Sequence, residues 1–126
     1  MTGGSEWLVD AFGCDAARLR DAAVLLELGR TLIGALELTV IGQPLWHHFG
    51  GLGGVTGLYL LSESHLAWHT YPESELCTLN VYCCRERRML DWRALLGAAL
   101  GASRVDVRVV ERGLGLTDAR SGSGVP

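Results

Sequence analysis

Two rhythms of hydrophobic and polar residues run through this chain. From Arg104 to Glu111, Val105, Val107 and Val109 alternate with Asp106 and Arg108, the period of two that marks a strand with one wet face. From Ala16 to about Leu36 the rhythm lengthens. Leu19, Ala23, Leu26, Arg30 and Ile33 recur at steps of three and four among Ala, Leu, Glu and Arg, which predicts one long amphipathic helix. Asp15, after the Gly13-Cys14 turn, is placed to cap it. Residues 89 to 100 carry a second amphipathic helix, and Glu6 to Phe12 a short apolar strand. Val55 to Ser62, Leu66 to Thr70 and Leu76 to Cys84 are β-rich runs with short connections, as in an antiparallel meander. Leu38 to Ile41 and Leu45 to Phe49 look like strand pieces interrupted by Gly42-Gln43-Pro44, because proline cannot donate to a ladder. The glycine cluster at 50 to 54 lacks the G-x-G-x-x-G spacing and following helix of a phosphate cradle and reads as a flexible loop.

The resulting order, β-α-β-β-β-β-α-β, predicts an α+β two-layer sandwich: an antiparallel sheet with two helices on one face. Alternation within Leu76 to Cys84 puts Cys77, Leu79, Val81 and Cys83 on one side and Thr78, Asn80, Tyr82 and Cys84 on the other. Helices should cover the apolar side, which turns Cys84 towards the uncovered face. Two helices cannot cover both faces of such a sheet, so a second copy is expected to pack on the open one.

At 126 residues the chain fits one domain, expected over 1–116, with small and polar residues from 117 to 126 forming a disordered tail. A net charge of -3 gives no basic surface for nucleic acid. No apolar run is long enough for a membrane span, and Met1 to Glu6 lack the features of a secretory signal, so a cytoplasmic location is expected. Cys14, Cys77, Cys83 and Cys84 are then expected as free thiols. The adjacent pairs His47-His48 and Cys83-Cys84 do not have metal-ligand spacing, and no metal site is expected.

The run Ser62-Glu63-Ser64-His65-Leu66-Ala67-Trp68-His69-Thr70-Tyr71-Pro72-Glu73, with Cys84 beyond it, resembles the self-cleaving segment of bacterial S-adenosylmethionine decarboxylases. The resemblance extends outward from Trp7-Leu8-Val9-Asp10-Ala11-Phe12-Gly13-Cys14-Asp15 to Val109-Val110-Glu111-Arg112-Gly113. It implies a proenzyme cut at Glu63-Ser64 into a β chain, 1–63, and an α chain, 64–126, with Ser64 converted to a covalent pyruvoyl group that reacts with the substrate amine. It further implies His69 as the processing base, Thr56 as its support and Cys84 as the proton donor after decarboxylation. Phe49 and Tyr71 would lie against adenine and Glu73 would accept from ribose hydroxyls. The implied assembly is a homodimer with its sites near the interface, and the implied product is the aminopropyl donor for spermidine.

The chemistry suits the composition. Decarboxylating an α-amino acid requires an electron sink conjugated to the substrate nitrogen, and all eleven basic residues here are arginine, so no lysine can anchor a pyridoxal cofactor. Taken singly, Ser64 would be a turn residue, His69 a structural histidine and Cys84 a small buried hydrophobe. Their spacing is what gives them weight. Phe49 and Tyr71 fit a core role as well, and Glu73 a solvated one; Cys14 and Cys77 read as packing. The chain departs from the family at Tyr71, Ser74-Glu75-Leu76, Asn80 and Arg85, near the substrate rather than the reacting groups. Decarboxylation of ornithine or arginine by the same chemistry is the alternative, and an unprocessed regulatory homologue is a further one.

Overall fold

The computed structural model describes residues 4–84 and 89–114. The chain folds as β1 (Gly4–Phe12), α1 (Ala16–Leu19), α2 (Ala22–Ala35), β2 (Leu45–His48), β3 (Val55–Leu61), β4 (Ser64–Tyr71), β5 (Leu76–Cys83), α3 (Trp92–Leu100) and β6 (Arg104–Arg112), with a short 3-10 turn at Pro72–Ser74. The six strands form one sheet in the order β2-β3-β4-β5-β1-β6. Every pairing is antiparallel. Consecutive strands β2 to β5 make the expected meander, and β1 is drawn into the sheet between β5 and β6.

Strand alternation decides where the core lies. Trp7, Val9 and Ala11 of β1, Tyr59 and Leu61 of β3, Leu66 and Trp68 of β4, and Cys77, Leu79, Val81 and Cys83 of β5 are buried. They meet Leu25, Leu28, Leu32 and Ile33 of α2 and Trp92, Leu96 and Leu100 of α3 in one cluster. Burial of each large apolar side chain is worth roughly 1.5–3 kcal/mol. Side-chain hydrogen bonds fasten the layers: Tyr59 Oη donates to the Leu26 carbonyl at 2.8 Å, and Thr70 Oγ1 donates to the Leu19 carbonyl at 2.7 Å while accepting from Val55 N at 2.8 Å. The opposite face carries Glu6, Asp10, Leu58, Leu60, His69, Thr78 and Asn80 and has no layer over it in one chain.

Several boundaries differ from the expectation. The helix predicted from Ala16 to Leu36 is two helices, because Asp21 turns extended and its carboxylate accepts from Ala23 N, starting α2 afresh one turn after Asp15 has capped α1. The helix predicted from residue 89 begins at Trp92, since the Asp91 carboxylate takes the N-cap by accepting from Ala94 N. Leu38 to Ile41 is not a strand: Val40 makes one isolated bridge to Leu61, and Gly42 turns the chain at φ 72. The glycine cluster is an ordered hairpin turn rather than a slack loop, closed by Phe49 N to the Gly54 carbonyl at 3.0 Å and Gly53 N to the Gly50 carbonyl at 2.8 Å. Strand β4 starts at Ser64 rather than Leu66. The tail from 117 and the departure at Arg85 lie outside the described residues.

Candidate active site

Strands β3 and β4 are joined by only Ser62 and Glu63, with Leu61 opposite Ser64 across the hairpin and Ser64 opposite Cys83 on β5. The tight turn fixes the Glu63-Ser64 peptide at the sheet's rim. Ser64 shares strand parity with Leu66 and Trp68, and its Oγ is buried without a hydrogen-bond partner. Leaving a buried hydroxyl unpaired costs about 1–3 kcal/mol. One residue beyond β5, Cys84 is exposed where Cys83 is buried, and its thiol donates to the Glu63 carbonyl oxygen at 2.6 Å. An unsatisfied hydroxyl, the carbonyl preceding it in the chain and a donor on that carbonyl's oxygen therefore meet at one rim. This arrangement can polarise a peptide bond beside a nucleophile.

His69 and Thr56 form a second group. They face each other across β3 and β4, and Thr56 Oγ1 lies 3.2 Å from His69 Nδ1. His69 borders a depression of about 340 Å³ on the uncovered face, with Glu6, Asp10, Thr78, Asn80 and Arg108 around it. Phe49 is 64% exposed at the end of β2, edge-on to the His47 ring at 4.7 Å. Tyr71 is exposed at the end of β4, and Glu73 on the 3-10 turn. Register puts Phe49, Thr56, His69, Tyr71 and Glu73 at one end of the strands and Glu63, Ser64 and Cys84 at the other. Five residues of strand separate Ser64 from His69, on the order of 16 Å at about 3.3 Å per residue, and the odd spacing points their side chains to opposite faces. The sequence brings the two residues close in number; one chain does not bring them together in space.

A third constellation escaped the sequence. Asn80 Nδ2 donates to Glu6 Oε2 at 3.0 Å and lies 3.4 Å from His65 Nε2. Glu6 also accepts from Arg112 at 2.9 Å, and the His65 and Tyr82 rings are 6.0 Å apart. This network immobilises His65, the residue after Ser64. Its members come from β1, β4, β5 and β6, and only the alternation of Glu6 with Trp7 hinted that Glu6 shares a face with Asn80. The other thiols are held differently: burial pushes Cys14 up to about 11 and raises Cys77 further, as expected of packing cysteines. Among the described residues no helix is long and apolar enough to cross a membrane.

This geometry has relatives. The family model described as S-adenosylmethionine decarboxylase matches residues 5–113. An S-adenosylmethionine decarboxylase proenzyme from Picrophilus torridus is 34% identical over 112 residues, 87% of this chain and 84% of the relative. An arginine decarboxylase proenzyme from Ignicoccus hospitalis is 37% identical over 83 residues, 66% of this chain and 57% of the relative. Among solved structures, the adenosylmethionine decarboxylase of Aquifex aeolicus superposes with a TM-score of 0.74 at 31% identity, covering 90% of this chain and 92% of that one. A matching family model over nearly the whole described chain, a relative 34% identical over 84% of its length and a shared fold lead to one conclusion: the chain belongs to the S-adenosylmethionine decarboxylase family.

Proposed function

We propose that this protein is a proenzyme that cuts itself at Glu63-Ser64 and then, through the pyruvoyl group made from Ser64, decarboxylates S-adenosylmethionine to an aminopropyl donor. The observation that carries the proposal is the Cys84 thiol on the Glu63 carbonyl oxygen beside the unpartnered Ser64 hydroxyl. Ser64 Oγ attacks the Glu63 carbonyl carbon, the developing oxyanion is held by the thiol, and the peptide nitrogen departs to leave an ester. Removal of the Ser64 α proton then expels the Glu63 carboxylate. The dehydroalanine left behind takes up water and releases ammonia, giving the new amino terminus its ketone.

The residues present fit the pyruvoyl group, since the hydroxyl to be consumed makes no bond that would have to be broken. When formed, the group supplies a ketone for the substrate amine and an amide carbonyl that takes up electrons as carbon dioxide leaves. Around it, Cys84 has an exposed thiol that can return a proton to the substrate carbon. His65, held by Asn80 and Tyr82, anchors the first peptide of the new α chain.

The processing base needs a second copy. His69 is at the far end of β4 from its own Ser64, so two chains packed through their uncovered sheet faces, strands running oppositely, bring the His69 and Thr56 of each to the Ser64 rim of the other. The Thr56 hydroxyl on Nδ1 orients the imidazole, leaving Nε2 for the proton. Phe49, Tyr71 and Glu73 travel with His69 to the same site, where the aromatic faces can stack on adenine and the carboxylate can accept from ribose hydroxyls. Each site then draws its nucleophile from one protomer and its base and recognition shell from the other.

Intact-mass measurement of the purified protein, followed by carbon dioxide release from S-adenosylmethionine, ornithine and arginine in parallel, tests this. The expected result is two fragments, breaking before Ser64, with release from S-adenosylmethionine alone, and no fragments from Ser64→Ala. An uncut, inactive wild type would leave a regulatory homologue. The Ignicoccus hospitalis relative makes arginine the second reading, and cleaved protein releasing carbon dioxide from arginine alone would establish it.

A further inference from the structure

The sheet has two edges, and they are built differently. Strand β2, at one edge, is four residues long and follows a proline-containing turn. Strand β6, at the other, runs for nine residues, Arg104–Arg112, and among the described residues it is hydrogen-bonded to β1 alone. A long edge strand offers a row of free N–H and C=O groups to any strand of matching pattern. Its helix-side residues pair with the core positions of β1: Val105 with Ala11, Val107 with Val9 and Val109 with Trp7. Yet Val107 is 36% and Val109 46% exposed, so this apolar row continues past the place where the core of one chain stops. On the other face of β6, Arg104, Asp106 and Arg108 alternate in sign.

We infer that β6 is an assembly edge, at which a second copy of the chain adds its own β6 antiparallel about a two-fold axis through Val107 and extends the sheet from six strands to twelve. The register follows from the side chains. In an antiparallel pair, opposite residues share a face, so only registers that pair residues of like parity are open. Centring on Val107 puts Val107 against its own copy and Val105 against Val109 twice, a closed row of six valines on the helix side. On the other face the same register puts Asp106 against Arg108 twice, a ring of four charges alternating in sign. Moving the axis to Asp106 sets Asp106 against its copy and Arg104 against Arg108. Moving it to Arg108 sets Arg108 against its copy and Arg104 against Arg112. Like charges directly opposite are unfavourable, so both neighbouring registers are rejected by the residues that favour the central one. A two-fold contact of this kind closes after two copies and leaves the uncovered sheet face free. It rests on the edge pattern alone and holds whether or not the chain is an enzyme.

The self-pairing of Val107 makes the test direct. Val107→Glu and Val107→Lys each place two like charges at the axis, while a mixture of the two places opposite ones there. By light scattering on the size-exclusion column, wild-type protein at micromolar concentration is expected at twice the mass of either variant, and the equimolar mixture at the wild-type mass. Cleavage and turnover should survive in each variant, since Val107 lies on the edge strand, with β1 and β5 between it and β4 and four residues from the level of Ser64. Register is read separately by oxidative crosslinking: Val107→Cys should link two copies through its new thiol, and Val109→Cys, which faces Val105, should not. Equal masses for wild type, both variants and mixture would overturn the proposal. So would equal linking by the two cysteine variants, or linking by neither.

Discussion

On the proposed reading Ser64 and Cys84 divide the work of one peptide bond, and their side chains can be varied one at a time. With Cys84→Ala the Glu63 carbonyl loses its donor while the Ser64 hydroxyl stays in place. A neutral hydrogen bond is worth about 1 kcal/mol, so self-cleavage should slow roughly fivefold, seen as the fraction of uncut chain over time by mass. Turnover of whatever has been cut should fall much further, because the same thiol is the proposed proton donor. Cleavage of Cys84→Ala at the wild-type rate would remove the thiol from the processing step. Cys14 and Cys77 predict a different pH behaviour. Burial raises both thiols above the usual 9.0, Cys14 to about 11, so folding keeps them protonated where the unfolded chain would ionise. Their contribution is complete below about pH 8.5 and is lost as pH rises through 9 towards 11. The melting temperature should be flat on the acid side of that window and fall within it, and Cys14→Ala should soften the fall. A slope unchanged by that substitution would place its cause elsewhere. At this scale strand parity in the sequence already separated the exposed Cys84 from the buried Cys77 and Cys83, while the roles of Ser64 and Cys84 came from resemblance. The sequence was silent on the bond from Cys84 to Glu63, which depends on a turn of two residues rather than three.

Elements are positioned by a few polar contacts between them. Thr70 is the only polar residue among the buried positions of the described chain, and its hydroxyl ties the end of α1 to the start of β3. Thr70→Val keeps the shape and strands both the Leu19 carbonyl and the Val55 amide, for about 1–3 kcal/mol of lost stability. Because Val55 adjoins Thr56, processing should also slow; denaturant unfolding and a cleavage time course read the two effects. Asp21→Ala should cost about 1 kcal/mol by removing the cap that starts α2. Wild-type stability in either variant would contradict the assigned role. The same residues explain what pattern could and could not reveal. Pattern, with its turn signals, identified six strand regions, their order in the chain and the helical face, apart from Leu38 to Ile41, which forms no strand. It merged α1 with α2, because Asp21 looks like a helix-surface carboxylate until its backbone is seen extended at ψ 105. It lengthened α3 for the same reason at Asp91. It also read the glycines after Phe49 as slack, although positive φ at Gly50 and Gly51 closes a tight turn.

For the whole molecule, the decisive fact is the length of β4. Ser64 and His69 stand at opposite ends of one strand and on opposite faces, so within one chain the two do not meet, and on the proposed reading the base comes from a second copy over the uncovered sheet face, where Leu58, Leu60 and Tyr71 are exposed. Sequence offset alone could not expose this, because five residues mean one turn of a helix but roughly 16 Å of strand. The consequence is testable by complementation. Ser64→Ala chains keep His69 but have nothing to cleave, and His69→Ala chains keep Ser64 but lack the base. Each expressed alone should stay uncut. Expressed together, they should form mixed pairs in which the His69→Ala chain, facing an intact His69 from its partner, is cleaved while the Ser64→Ala chain is not. Distinct masses for the two chains identify which one was cut, and about half of all His69→Ala chains should be processed if pairing is random. Cleavage of His69→Ala expressed alone would remove His69 from the reaction. If both chains stay whole in the mixture, while native-mass measurement shows that mixed pairs have formed, the base does not come from the partner.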